Sequence, residues 1–217
     1  MVIERHTKDE IYSMPNSERI ALFERLLTST GRKGIEGAID FVRRSDFYTS
    51  PASMSYHSNI ECGLLIHSLL VFYSALEIRD GLVKMDSALA AAVPEDSIII
   101  AALLHDLCKV STYTKALKSK KINGVWKTVT GYECNDVYPL GHGEKSVFYL
   151  MTTGLEMRVE EMLAIRWHMG MNESSNTDVY SFRAARDKYP LVNIIMAGDY
   201  VSTFMFESVS DGEVVPN

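Results

Sequence analysis

The 217-residue sequence predicts an all-α chain interrupted by one short β-hairpin. Three observations carry this. Apolar residues recur at three- and four-residue intervals through most of the chain, the spacing that lines one face of a helix. A single segment, SKKINGVWKTVTGYEC (119–134), is instead rich in β-branched and aromatic residues and holds Asn123-Gly124, the signature of a hairpin with a type I′ turn. Finally, 217 residues with 47% apolar content suit one domain around one core.

The elements follow in order. Residues 17–29 (SERIALFERLLTS) have helical periodicity, with Asn16 or Ser17 as the N-cap. A second helix covers 34–44, after Gly31-Arg32-Lys33, and closes an N-terminal part spanning 1–44. Residues 45–58 are small, polar and aromatic, contain Pro51, and read as a loop. A long, mostly buried helix covers 60–79 and a short one 86–92. Pro94-Glu95-Asp96 opens the next helix, with proline near the first turn and acids that complement the helix dipole. That helix is expected to run on through His105, Asp106 and Lys109. The hairpin is an insertion over 113–135. Helices over 141–151, 156–169, 180–188 and 191–206 complete the core, and 207–217 is a tail, frayed over Ser210–Asn217.

Charge and cysteine usage exclude some functions. A net charge of −6 argues against an extended nucleic-acid surface, which needs clustered lysine and arginine. It leaves room for a small phosphorylated ligand. Cys62, Cys108 and Cys134 are odd in number and lack CxxC spacing, as expected for reduced thiols in the cytoplasm. The N-terminus alternates charged and apolar residues, unlike a signal peptide. Its apolar runs are too short to cross a bilayer, so no membrane partner is expected. Monomer or dimer both remain open.

Five of the six histidines fall in one ordered constellation with two aspartates: His57, His67, His105-Asp106, His142, His168 and Asp199. Histidine and aspartate together are a ligand set for divalent Mn, Fe, Ni, Zn or Mg. An adjacent pair on a helix places two ligands ~100° apart on one turn. The bland alternatives are a capping aspartate beside a core histidine for His105-Asp106, and hydrogen-bonded core groups for His67 and Asp199. Buried polar residues on several separate helices, however, need a common partner, and a buried carboxylate is costly unless paired or metal-bound. Lys109 follows Asp106 by three positions and so projects near the same face, where it could neutralise a phosphoryl oxygen; the bland alternative is a solvated lysine at a helix end.

The words around these residues are GLLIHSLLV (63–71), AALLHDLCKVSTY (101–113), GHGEKS (141–146), AIRWHMG (164–170) and AGDYVSTF (197–204). In this order they resemble the HD superfamily of metal-dependent phosphohydrolases, over roughly residues 45–206. The series looks most like the bacterial and phage type GGLLxHSL…LLHDxxK…GHGEKS…WHxG…AD. It is also similar to the HD module of a 3′-to-5′ exoribonuclease family.

The resemblance implies an HD-domain helical bundle holding one or two divalent ions. It implies His67, His105, Asp106 and Asp199 as ligands of a first metal, and His142 and His168 as ligands of a second bridged by Asp106. Asp106 and Lys109 would be catalytic, while His57, Lys109 and Lys145 would contact substrate. The implied activity is hydrolysis of a phosphomonoester or phosphodiester, of a nucleotide, by a metal-activated hydroxide. Two alternatives stand beside it: a 3′-to-5′ exonuclease on short nucleic acid, and a non-catalytic, metal-containing nucleotide-binding module. Glu144 is a candidate to orient His142, or a surface charge. Trp126, Tyr132 and Trp167 read as packing residues. The chain departs from the pattern at Cys62, where glycine is usual, and at Ile66, where an acid is common.

Overall fold

The computed structural model describes residues 3–171, 176–207 and 212. The helices are α1 (Lys8–Ser13), α2 (Asn16–Ser29), α3 (Ile35–Arg44), α4 (Gly63–Met85), α5 (Leu89–Ala92), α6 (Glu95–Leu104), α7 (His142–Thr152), α8 (Val159–Trp167), α9 (Asn176–Lys188) and α10 (Pro190–Val201). Strands β1 (Tyr113–Ile122) and β2 (Val125–Cys134) form the one hairpin, in antiparallel register from Ile122↔Val125 to Tyr113↔Cys134. Asn123 (φ 49°) and Gly124 (φ 82°) supply the two left-handed residues of the expected turn. The architecture is mostly helical with an inserted hairpin, as the sequence predicts.

Several boundaries differ from expectation. Helix α1 was not foreseen, because six residues are too few to show a period. Its signal is local: the Thr7 hydroxyl accepts from the Glu10 N–H at 3.3 Å, and the Glu10 carboxylate accepts from the Thr7 N–H at 2.6 Å. Pro15, rather than Asn16 or Ser17, is the cap residue of α2. Helix α9 starts ahead of the expected 180–188, and α10 gives way to a π-helical turn over Ser202–Phe206. Trp126 is exposed at the hairpin end, so it is not a packing residue, whereas Trp167 is buried against Phe182.

The most consequential correction concerns α6. It ends at Leu104; His105 is its C-cap, Asp106 lies outside the helix at φ −100°, ψ 21°, and Lys109 sits on a separate 3-10 turn. Helix α8 likewise stops at Trp167, with His168 as its C-cap. The physical reason is shared. The His105 Nδ1 lies 2.7 Å from the Ala102 carbonyl, and the His168 Nδ1 lies 2.6 Å from the Ile165 carbonyl. Each imidazole takes a carbonyl of the last turn, which a helix end leaves without an intrahelical partner.

Helix α4 is the central element, buried continuously from Gly63 to Leu76, with α10 and α6 packed on it. Two glycines set how closely the helices approach. A Cβ at Gly198 on α10 would come within 2.9–3.1 Å of Ala75 on α4. One at Gly143 on α7 would lie 2.2 Å from the Arg166 carbonyl oxygen on α8. A buried ionic node joins the N-terminal helices to this layer. Arg32 spans the Glu161 carboxylate with two 2.8 Å bonds and reaches Asp96 at 2.8 Å. Ser97 donates to Glu161 at 2.6 Å. Among the described residues, no helix is long and apolar enough to cross a membrane.

Candidate metal centre

The central layer converges on one buried cluster. His67 comes from the middle of α4, His105 from the end of α6, Asp106 from just beyond it, His168 from the end of α8, and Asp199 from α10. All five are buried. His142, the first residue of α7, completes the group, and its side chain is 40% exposed, which makes it the solvent-facing edge.

Asp106 lies at the centre and divides the histidines between its two oxygens. Its Oδ2 is 3.3 Å from His67 Nε2 and 3.4 Å from His105 Nε2. Its Oδ1 is 2.8 Å from His142 Nε2 and 3.4 Å from His168 Nε2. His67 Nε2 also lies 3.1 Å from His105 Nε2 and 3.4 Å from Asp199 Oδ1.

The tautomers follow from the opposite ring nitrogens. In the neutral rings of His105 and His168, Nδ1–H donates to a backbone carbonyl, so each Nε2 presents a lone pair. The His67 Nδ1 faces Glu207 Oε1 at 2.7 Å, so neutral His67 presents its Nε2 lone pair to the same place. With His67 neutral, three lone pairs and two carboxylates thus meet in one buried volume, an acceptor set that a cation satisfies, or else a proton on His67. Atoms bonded at ~2.1 Å to one ion stand roughly 3.0–3.4 Å apart at octahedral or tetrahedral angles. The 3.1–3.4 Å separations around His67, His105, Asp106 and Asp199 fit that range. The buried His168 Nε2, which has no hydrogen-bond partner, fits as well. These residues could hold a divalent metal ion.

The field of the cluster favours positive charge. Burial opposes charging His67, yet the carboxylates of Glu207, Asp106 and Asp199 outweigh it and hold its pKa up at about 10. Burial also works against the Asp106 carboxylate, but Lys109 and the surrounding histidines keep it ionised, well below the usual range. His105 and His142 go the other way, because burial pulls both down.

No protein-family model, characterised protein or solved structure matches this chain. The site therefore rests on its own geometry.

That geometry brings together all six expected metal ligands. Lys109 is beside them, with Nζ 2.5 Å from Asp106 Oδ2, buried as a counter-charge rather than exposed at a helix end. His57 stacks near His67, ring centroids 4.9 Å apart, and its Nε2 is buried without a hydrogen-bond partner. Burial, with His67 and Lys109 nearby, pulls its pKa down to about 4, so it is neutral at pH 7. Lys145 is buried but spends its ammonium on Asp136 at 2.5 Å and Thr112 at 3.4 Å, tying α7 to the segments flanking the hairpin. Glu144 pairs with Arg166 at 2.6 Å, not with His142.

Two participants were missed. Cys108 places its thiol 3.4 Å from the His142 Nε2, and burial together with Asp106 pushes that thiol's pKa up to about 12. Glu207 is expected from the sequence only as the first residue of the tail. Its carboxylate is instead buried against His67, and burial notwithstanding, His67 draws its pKa down to about 2. The π-helical turn at 202–206 shifts the chain out of helical register just before Glu207, so no period in the sequence points to it. The expected frayed segment from 210 onward lies outside the described residues apart from Gly212.

Proposed function

We propose that this chain is an HD-type metal-dependent phosphohydrolase, cleaving a phosphomonoester or phosphodiester of a nucleotide. The observation that carries this is the convergence of three backbone- or carboxylate-anchored imidazoles on the Asp106 carboxylate, within the ordered words that resemble the HD superfamily. The division of the histidines between Asp106 Oδ1 and Oδ2 supports a carboxylate bridging two ions.

A divalent cation bound there supplies Lewis acidity toward a phosphoryl oxygen and acidifies a water. The chain does the rest. His105, His168 and His67 are aimed by their Nδ1 partners, so ligand orientation costs little when the site fills. Lys109 balances the carboxylates and limits the repulsion an approaching phosphate meets. His142, at the exposed edge, can exchange solvent for substrate. Neutral His57, whose Nε2 has no partner, lines the pocket where it can hydrogen-bond a substrate group.

A second reading, the 3′-to-5′ exonuclease, draws support from the hairpin. The net charge of −6 conceals that residues 113–134 hold five lysines and one acid, and Trp126 is exposed beside them.

The deciding assay is p-nitrophenol release from bis-p-nitrophenyl phosphate and p-nitrophenyl phosphate with Mn²⁺, alongside bound-metal analysis, for the wild-type chain and Asp106→Ala. Turnover that Asp106→Ala abolishes, with loss of bound metal, supports the phosphohydrolase. Bound metal without turnover of either ester or of a short oligonucleotide would favour the non-catalytic nucleotide-binding module.

A further inference from the structure

A cavity of about 830 Å³ opens on one side of the cluster, with His168 and Asp199 at its floor. Its walls are Tyr56, Met169, Met196, Tyr200 and Phe204. Tyr200 and Phe204 stand one helical turn apart with ring centroids 4.7 Å from each other, and both are largely exposed at the mouth. None of the described lining residues is lysine or arginine. The nearby cation, Lys109, is already committed to Asp106. Glu207 adds a second carboxylate to the lining.

From this wall the geometry points to a substrate with one phosphoryl group at the metal centre and an uncharged aromatic group held by Tyr56, Tyr200 and Phe204. The inference rests on the phosphohydrolase reading for its phosphoryl half and on the cavity alone for its aromatic half. Flat rings and methionine sulfurs offer stacking and edge contacts to another ring. Beyond the hydroxyls of Tyr56, Tyr200 and Thr203 they offer no cation to a second or third phosphoryl group, whose charge would lie against tyrosine, methionine and phenylalanine. Asp199 and Glu207 would repel it further. Polyphosphate chains, which need several cations beyond the ion at the reacting centre, are excluded by the same wall.

Two measurements on the full chain test this. The first is calorimetric titration of the Mn²⁺-loaded protein with adenosine, a neutral aromatic probe, for wild type, Tyr200→Ala, Phe204→Ala and the control Met85→Ala, an exposed residue at the far end of α4. Adenosine should bind, each pocket variant should weaken it about tenfold, and Met85→Ala should leave it unchanged. The second is initial rates with Mn²⁺ on adenosine 5′-monophosphate, adenosine 5′-triphosphate and inorganic tripolyphosphate. The monophosphate should be favoured at least about 100-fold. Tyr200→Lys should narrow that gap by giving a polyphosphate a cation. Equal use of the triphosphate, or adenosine affinity indifferent to both rings, would overturn the inference while leaving a working hydrolase intact. Ring-dependent adenosine binding without any turnover would support the pocket and sink the hydrolase reading instead.

Discussion

His67, His105 and His168 reach the cluster through the same device, a partner on Nδ1 that points Nε2 inward. For two of them the partner is a backbone carbonyl three residues earlier, which mutation cannot easily remove. For His67 it is the Glu207 carboxylate, and that can be tested. Replacing Glu207 with alanine should lower metal affinity about 10–100-fold, the usual effect of deleting such an orienting carboxylate. Glu207→Gln, which can still accept a hydrogen bond but lacks the charge, should fall between. Competition against a fluorescent chelator would measure both, and affinity unchanged in Glu207→Ala would remove this residue from the site.

At the scale of elements, the clustered histidines and aspartates are placed by helix contacts rather than by the helices' own propensities. Gly198 allows α10 to meet α4 at Ala75, one residue from Asp199. The Gly198→Ala variant should cost about 1–3 kcal/mol through overpacking, and it should also weaken metal binding by moving Asp199 away from His67. Denaturant unfolding and the chelator competition would report the two effects separately. The Arg32 node acts at the opposite ends of α6 and α8 from the ligands. Arg32→Met should destabilise the fold by about 2–3 kcal/mol, because it removes the bidentate partner of the buried Glu161 and leaves it the Ser97 hydroxyl and the Arg158 N–H. The same node predicts an acid limb. Burial raises the Asp96 pKa, but Arg158 and Arg32 outweigh it, so the folded value lies below the ordinary 3.8. A depressed carboxylate contributes stability that is present above 3.8 and lost as pH falls through the folded value. Arg158→Ala should therefore flatten the acid arm of a melting-temperature profile below pH 4; an unchanged arm would exclude the Arg158–Asp96 pair as a contributor.

For the molecule as a whole, a buried acceptor set makes metal binding part of folding stability. Metal at 100 times its dissociation constant contributes about 2.7 kcal/mol, provided the unfolded chain does not bind it. For a chain of this length that corresponds to roughly 5–10 °C in melting temperature. Chelation should lower the wild-type melting point by about that amount and leave Asp106→Ala nearly unmoved. Differential scanning fluorimetry with and without chelator would show it. Equal shifts in both proteins would place the metal elsewhere.

Which residues cluster was legible without coordinates, because histidine and aspartate inside apolar helices have few stable states other than sharing a partner. So were the helical class and the hairpin, since apolar period and an Asn-Gly turn are properties of neighbouring residues. Helix ends were less legible: where α6 and α8 stop depends on imidazoles folding back onto carbonyls, a choice between two local hydrogen bonds that composition does not rank. Glu207 was hidden entirely, because a π-helical turn carries it out of register and only packing brings it to His67, 140 positions earlier. Net charge is likewise an average, taken over a lysine-rich hairpin and an acidic remainder. Residue type and local spacing are written along the chain, and they determined which groups this protein brings to its centre. The partners of each ring nitrogen, the oxygen of Asp106 each histidine faces and the uncharged wall beside them are relations across the chain, and only tertiary packing decided those.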